Sequence, residues 1–292
     1  MLNLIQRDDR ACQSGGWRNL VPLRGTAYQR RVASAPMLPL SAHLSMLFRE
    51  LPYLERPEAA RRAGFSAIET WWPAELGDAW AAEVQRSALH VALLNCYAGD
   101  IETGERGFLN LPERREETVR DFEAAVELAR RTGAPRINML AGLQLPGVPR
   151  RTQLMEAAST LRECAAVAAA ADLTIVVEQI NKLDIPRYLV PTAPEVADLI
   201  EVVGSSSVRM LYDVYHAARS GRDPLKEAPA YIELIDHIHY ADCPGRGPPG
   251  TGNVDFFHLL DVLNGAGYSG MVGLEYDPRG PTMSTLAFLR SA

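Results

Sequence analysis

The chain has 292 residues, 47% of them hydrophobic and 23% charged, with a formal net charge of −6. That size holds one large α/β barrel or two average domains and a core that forms without staples. Residues 1–36 contain six Arg and two Asp, a local +4 that leaves −10 on the rest, a body poorly suited to binding nucleic acid.

No apolar run reaches the roughly 18 residues needed to span a bilayer. The longest, 165–177, is broken by Asp172. The four cysteines, Cys12, Cys96, Cys164 and Cys243, form no CxxC pair, so a disulfide-stapled framework or a structural zinc site is not expected, and a cytoplasmic location is. Residues 1–36 read as a flexible N-terminal extension, with the folded domain over 37–292. Ala33-Ser34-Ala35 resembles a cleavage site, but no apolar segment precedes it.

From residue 37 onward, short apolar runs alternate with helical patterns. Strands are expected over 42–47, 66–70, 91–95, 136–140, 174–178, 208–213, 235–240 and 271–275. Helices are expected over 112–132, 152–171, 194–203, 255–266 and 281–289. Thr152 and Thr192 stand where helix N-caps belong, and Gly64, Gly133, Gly204 and Gly267 where helices stop. Eight strand–helix units in about 250 residues predict an α/β fold of the (β/α)8 TIM-barrel type. A doubly wound sheet fits less well, because no glycine-rich phosphate turn follows the first strand; the chain there reads Ser45-Met46-Leu47-Phe48.

The polar residues give this pattern its chemistry. Expected strands five to eight each finish on a side chain able to bind metal: Glu178, Asp213, His239 and Glu275. In a barrel the C-terminal strand ends face the active-site mouth, and neighbouring strands stand under ~5 Å apart, so four such ends converge on one point. Two Glu, one Asp and one His form a mostly hard donor set, suited to a single divalent cation such as Mg2+ or Mn2+. A Glu or His at one strand end is ordinarily a solvated terminus or a core residue; four on successive strands form a set.

Three segments carry a family resemblance. Val177-Glu178-Gln179-Ile180-Asn181-Lys182-Leu183-Asp184-Ile185-Pro186, Tyr212-Asp213-Val214-Tyr215-His216 and Pro244-Gly245-Arg246-Gly247-Pro248-Pro249-Gly250-Thr251-Gly252 resemble the hydroxypyruvate isomerases. These belong to the xylose-isomerase-like barrels, beside the ketose 3-epimerases. His43-Leu44-Ser45-Met46-Leu47-Phe48, Gly99-Asp100 and Gly104-Glu105-Arg106-Gly107 fit the same pattern, and the resemblance spans roughly residues 37–280.

The resemblance implies a metal-dependent isomerase that moves a carbonyl between neighbouring carbons, interconverting hydroxypyruvate and tartronate semialdehyde or a close hydroxy-carbonyl acid. It places the metal on Glu178, Asp213, His239 and Glu275, makes Glu178 and Glu275 the acid/base pair, and sets His216, Arg246 and Asp184 against the substrate. The chain departs from the family at two positions, carrying His239 where hydroxypyruvate isomerases usually have Gln and His43 where they usually have Asn. Ketose epimerases have His at the former position, so the departure bears on the substrate.

The chemistry suits these residue types. Moving a carbonyl removes a proton from the adjacent carbon, and a cation stabilises the oxygen charge that develops. Arg246 offers a fork for a substrate carboxylate, and His216 lies three residues beyond Asp213, within reach of a substrate oxygen. His43, Glu69, Trp71 and Trp72 stand at the ends of the first two strands; the tryptophans are large enough to close the pocket but read as packing, as do Tyr97 and Phe108, and none of these joins the catalytic set. A ketose 3-epimerase would use the same glutamates on a neutral sugar. A nuclease would need several metals and more than the six histidines present, and a non-catalytic binding barrel predicts a broken ligand position. The expected partner is a small hydroxy-carbonyl substrate, with neither nucleic acid nor membrane; a homo-oligomer is compatible, though no segment marks an interface.

Overall fold

The computed structural model describes residues 38–290, so the expected extension over 1–36 lies outside the described residues. Eight strands, β1 (Leu40–His43), β2 (Ala67–Thr70), β3 (His90–Asn95), β4 (Arg136–Asn138), β5 (Thr174–Glu178), β6 (Val208–Asp213), β7 (Ile235–Tyr240) and β8 (Val272–Leu274), close into one barrel in sequence order. Every neighbouring pair is parallel, including β8 with β1. This is the expected (β/α)8 TIM barrel. Its helices are α1 (Arg56–Arg62), α2 (Gly77–Ser87), α3 (Arg115–Thr132), α4 (Arg150–Ala170), α5 (Ala193–Val203), α6 (Val214–Arg219), α7 (Pro224–Ala230) and α8 (Phe256–Gly265). None of the described helices is long and apolar enough to cross a membrane.

Helix α3 illustrates why these segments form. Phe122, Ala125, Val126 and Ala129 recur at helical spacing and are buried, with Glu116 and Glu117 in the first turn and Arg130 and Arg131 in the last. Gly133 ends it in the left-handed region at φ 72°, where a Cβ would be strained. Helix α5 starts at the N-cap Thr192, whose hydroxyl donates to Glu195 Oε2 at 2.8 Å.

Several expected boundaries move. The first strand ends at His43 because the amides of Met46 and Leu47 turn back to the His43 carbonyl, and the apolar run continues as a buried turn. Helix α4 starts at Arg150 after an N-cap at Pro149, so Thr152 lies inside it and is not its cap. Strands β4 and β8 are shorter than their apolar runs, and the segment expected as a helix over 281–289 is a 3-10 helix, Thr282–Arg290.

The strands are buried on both faces, as helix-covered parallel strands must be. Leu93, Val176 and Leu211 form a separate apolar cluster. Alternation then sets Asn95, Glu178 and Asp213, two residues further on, on that same face. Across the barrel the corresponding positions are polar or small, namely Ser41, Glu69, His237 and Gly273, all within one hydrogen-bonded neighbourhood. At the N-terminal end of the strands, Arg136 of β4 reaches over to pair with Asp236 of β7.

The loops at the C-terminal ends are pinned to one another. The amide of Gly107 donates to Ala98 O at 2.8 Å, and that of Gly142 donates to Arg106 O at 2.9 Å. Gly107 has φ +90°, and a Cβ there would stand 1.9 Å from the Leu140 carbonyl. Gly107→Ala therefore combines backbone strain with a clash against immovable backbone, and is expected to cost about 3 kcal/mol. A drop of roughly 5–10 °C in Tm follows for a barrel of this size; a melting curve superimposable on that of the parent would show that the loop re-seats freely.

Candidate active site

Glu178 closes β5, Asp213 closes β6, His239 is the penultimate residue of β7, and Glu275 follows β8 directly. The Glu275 amide still donates to Tyr240 O at 3.0 Å, which extends the sheet ladder by one residue. The four side chains are buried, and each offers a donor atom within 4.8 Å of the other three. The four residues singled out as metal-capable thus share one locus.

Each is held by a separate partner. One Asp213 oxygen caps helix α6 by accepting from the His216 amide at 2.7 Å. Glu178 Oε2 accepts from Asn138 Nδ2 at 2.9 Å, and His216 Nε2 lies 3.9 Å from its other oxygen. Glu275 Oε1 accepts from the indole N–H of Trp71 at 3.1 Å, and Oε2 pairs with Arg246. His239 Nε2 donates to Glu69 Oε2 at 2.8 Å.

Glu69 is fully buried and binds three donors. Its Oε1 accepts from Ser41 Oγ and from His237 Nε2, the latter at 2.9 Å. Burial opposes its charge, but His237 and His239 outweigh this and hold the carboxyl well below the usual range. Space for it comes from Gly273, where a Cβ would lie 2.3 Å from Glu69 Oε1.

With Nε2 engaged by Glu69, His239 turns Nδ1 toward Glu275 Oε2 at 3.4 Å, and this buried nitrogen has no hydrogen-bond partner. A buried lone pair facing a carboxylate is repulsive unless a cation lies between them. This fits a divalent metal, with three carboxylates and one imidazole as donors and Glu69 fixing the tautomer of the imidazole. Without metal a proton serves instead, and Glu275 and Glu69 overcome burial to raise the His239 pKa well above 6.5.

The two glutamates are driven apart. Burial, then Glu275, pushes Glu178 up to about 8. Burial acts on Glu275 too, but Arg246, His43 and His239 outweigh it and hold that carboxyl well below the usual range. His43 is fully buried at 3.6 Å from Glu275 Oε1, edge-on to His239 at 5.5 Å between ring centres, and burial lowers it to about 4.

The remaining expected site residues, His216, Arg246 and Asp184, line a cavity of about 310 Å³ together with Glu178 and Glu275, with Trp71 and Trp72 on its wall. His216 receives an N–H from Asn181 on Nδ1 at 2.6 Å, which leaves Nε2 to carry the hydrogen. Asp184 has one oxygen accepting from Asn181 at 3.0 Å and Tyr215 at 2.8 Å, and the other near Arg219, so it braces the wall that holds His216. Arg246 lies between Gly245 and Gly247 with φ 51°, in a loop organised by Asp242, which accepts the amides of Cys243, Gly250, Gly252 and Val254. A second depression of about 440 Å³, beside residues 249–257, lies apart from this chemistry.

Glu69 and Trp71, outside the expected catalytic set, both bear on the quartet, and so does His237, which also stands outside that set. The signal for His237 was its spacing of two from His239, which sets both on one face of a strand. Residues 57–292 match the xylose isomerase-like TIM-barrel family. The chain belongs to this family. It is 33% identical over 258 residues to the hydroxypyruvate isomerase of Escherichia coli, covering 87% of this chain and 98% of that one. It is 29% identical over 247 residues to the 2-oxo-tetronate isomerase of Haemophilus influenzae, covering 84% and 96%. A crystal structure from Brucella melitensis, described as an AP endonuclease of family 2, superimposes with a TM-score of 0.84 at 30% identity, covering 87% of this chain and 99% of that one. Both of these sequence relatives are named as isomerases, and this chain is an isomerase.

Two outcomes are expected at the site. Glu69→Gln removes the anionic partner of His239 while preserving shape, and should weaken Mn2+ binding by about 10- to 100-fold in calorimetric titration; unchanged affinity would separate Glu69 from the quartet. The second concerns pH in the metal-stripped protein. The folded-state pKa values of Glu178 and His239 lie above their ordinary values, so between pH about 6.5 and about 8 the folded state binds more protons than the unfolded. Stability must then fall as pH rises across that window, by up to about 1.4 kcal/mol per pH unit for each proton. Below pH about 6.5 the lowered His43, His216 and His237 act in the opposite sense, which places the maximum near 6.5. Urea melts in chelator across this range measure the slope, and a flat or rising profile above 6.5 would contradict the assignment.

Proposed function

We propose that this isomerase interconverts hydroxypyruvate and tartronate semialdehyde, or a close hydroxy-keto acid, using Glu178 and Glu275 as its proton-transfer pair. The observation that carries the reading is the pair itself, two buried carboxyls in one cluster of donors with opposite pKa shifts. Such divergence is how one site keeps an acid and a base side by side. The names of the two sequence relatives support a small hydroxy-keto acid as substrate.

In the forward direction a proton leaves C3 of hydroxypyruvate and one returns to C2, while the C3 hydroxyl proton passes to the C2 oxygen. Atoms balance without a redox partner. Glu275, paired with Arg246, and Glu178, bonded to Asn138, take the two roles of base and acid, and the reverse reaction exchanges them. His216, with its N–H directed at Glu178, is placed to carry the oxygen-bound proton. A divalent cation on Glu178, Asp213, His239 and Glu275 would stabilise the enediolate charge as a Lewis acid, with Mg2+ or Mn2+ suited to these donors. Trp71 and Trp72 help keep water from the reacting carbons.

The test is proton NMR in D2O on chelated protein given back Mg2+ or Mn2+, with hydroxypyruvate and D-fructose in separate samples. Metal-dependent conversion of hydroxypyruvate with deuterium uptake is expected, and Glu178→Gln and Glu275→Gln should each lose about 10²- to 10⁴-fold in kcat/KM. Exchange at C3 of fructose with inert hydroxypyruvate would overturn this reading in favour of a ketose epimerase.

A further inference from the structure

Two arginines line the cleft, and they differ in what holds them. Arg246 is committed to the acidic quartet: Nη2 pairs with Glu275 Oε2, Nε donates to the Glu275 carbonyl at 3.3 Å, and the guanidinium lies 5.5 Å from the Tyr215 ring centre. Arg106 lines the same cavity without an acid. Its Nη1 donates to the carbonyls of Ile101 at 2.8 Å and Glu105 at 2.6 Å, and among the described residues no carboxylate lies within ion-pair distance of it. Burial lowers its pKa, as does the charge of Arg246.

A half-buried guanidinium that shares a cavity with a second one and has no acid of its own is unfavourable unless an anion joins them. Its backbone is also fixed, since the Arg106 carbonyl accepts from Gly142 and the next residue is the clamped Gly107. A cation on a pinned loop, with nitrogens left toward a cavity, has the form of an anion anchor.

We propose that Arg106, rather than Arg246, anchors the substrate's carboxylate, holding the acid end of the molecule while its hydroxy-carbonyl end meets the quartet. This rests on the proposed hydroxy-acid reaction for its substrate class. It also assigns the two arginines separate duties, Arg246 keeping Glu275 ionised and Arg106 selecting an anion over a neutral sugar.

The test compares two unreactive ligands on the Mn2+-loaded protein by calorimetry. Tartronate has a hydroxyl-bearing chelating end and a second carboxylate, whereas glycolate has the chelating end alone. Arg106→Gln is expected to weaken tartronate by about 30-fold and glycolate by less than about threefold, the size of a lost charged hydrogen bond. Arg106→Lys keeps the charge but loses the fork, and should recover part of the loss. Arg246→Gln should preserve the preference for tartronate over glycolate. The Mn2+ affinity of Arg106→Gln, read by electron paramagnetic resonance, should match that of the parent.

Loss of the tartronate preference in Arg246→Gln but not in Arg106→Gln would overturn the assignment, as would equal weakening of both ligands by Arg106→Gln. The two proposals fail separately. Turnover of neutral ketoses alone ends the hydroxy-acid reaction whatever tartronate does. Turnover of hydroxypyruvate with a tartronate preference indifferent to Arg106 leaves the reaction standing and removes the anchor.

Discussion

A carboxylate buried in the wall of a barrel is costly unless donors engage both its oxygens, and Glu69 meets that demand with a serine hydroxyl and two imidazoles. These donors come from β1 and β7, on either side of the β8–β1 closure. The consequence reaches the cleft through His239. Because Nε2 is engaged below by Glu69, Nδ1 is the atom presented above, toward Glu275. The donor set at the mouth is thus oriented from one layer deeper, where ligand orientation in a metal site is commonly fixed.

The same division by depth explains how two glutamates of one cluster acquire different tempers. Glu275 is reached by Arg246 from the loop after β7, by Trp71 from the loop after β2 and by His43 from β1, so positive charge and N–H groups surround it. Glu178 receives one neutral amide and faces two other acids. Identical side chains are thereby given different proton affinities by their neighbours alone. The barrel makes this possible because each strand end brings its own following loop.

How much of this could be read from sequence depended on whether a signal was local. A polar residue terminating an apolar run is conspicuous, so Glu178, Asp213, His239 and Glu275 stood out, and strand–helix alternation pointed to the barrel. Glu69 also ends an apolar run, but Thr70, Trp71 and Trp72 follow it, and its partners are far along the chain, with His237 168 residues away. Only closure of the barrel makes them neighbours. Arg106 is visible in the sequence only as part of the family-like segment 104–107; that no described acid pairs with it is a property of the folded loop. Asp184 was legible as a residue of the site, but its occupation by Asn181 and Tyr215 was not. The boundary at His43 shifted because the following apolar residues bury equally well as a turn, so hydrophobicity alone does not mark where the strand stops.

The notch at Gly273 has a bearing on how such a barrel changes over time. Ser41, His237 and His239 all bond to Glu69, and Gly273 leaves the room that its side chain occupies: a larger residue at 273 displaces the carboxylate, and a shorter acid at 69 strands two imidazoles. Any one of them altered alone passes through an intermediate with a buried orphan or a clash. These positions are therefore expected to drift as a block, exchanged together or left alone, while the loops above remain free to vary singly and to retune which molecule the barrel accepts.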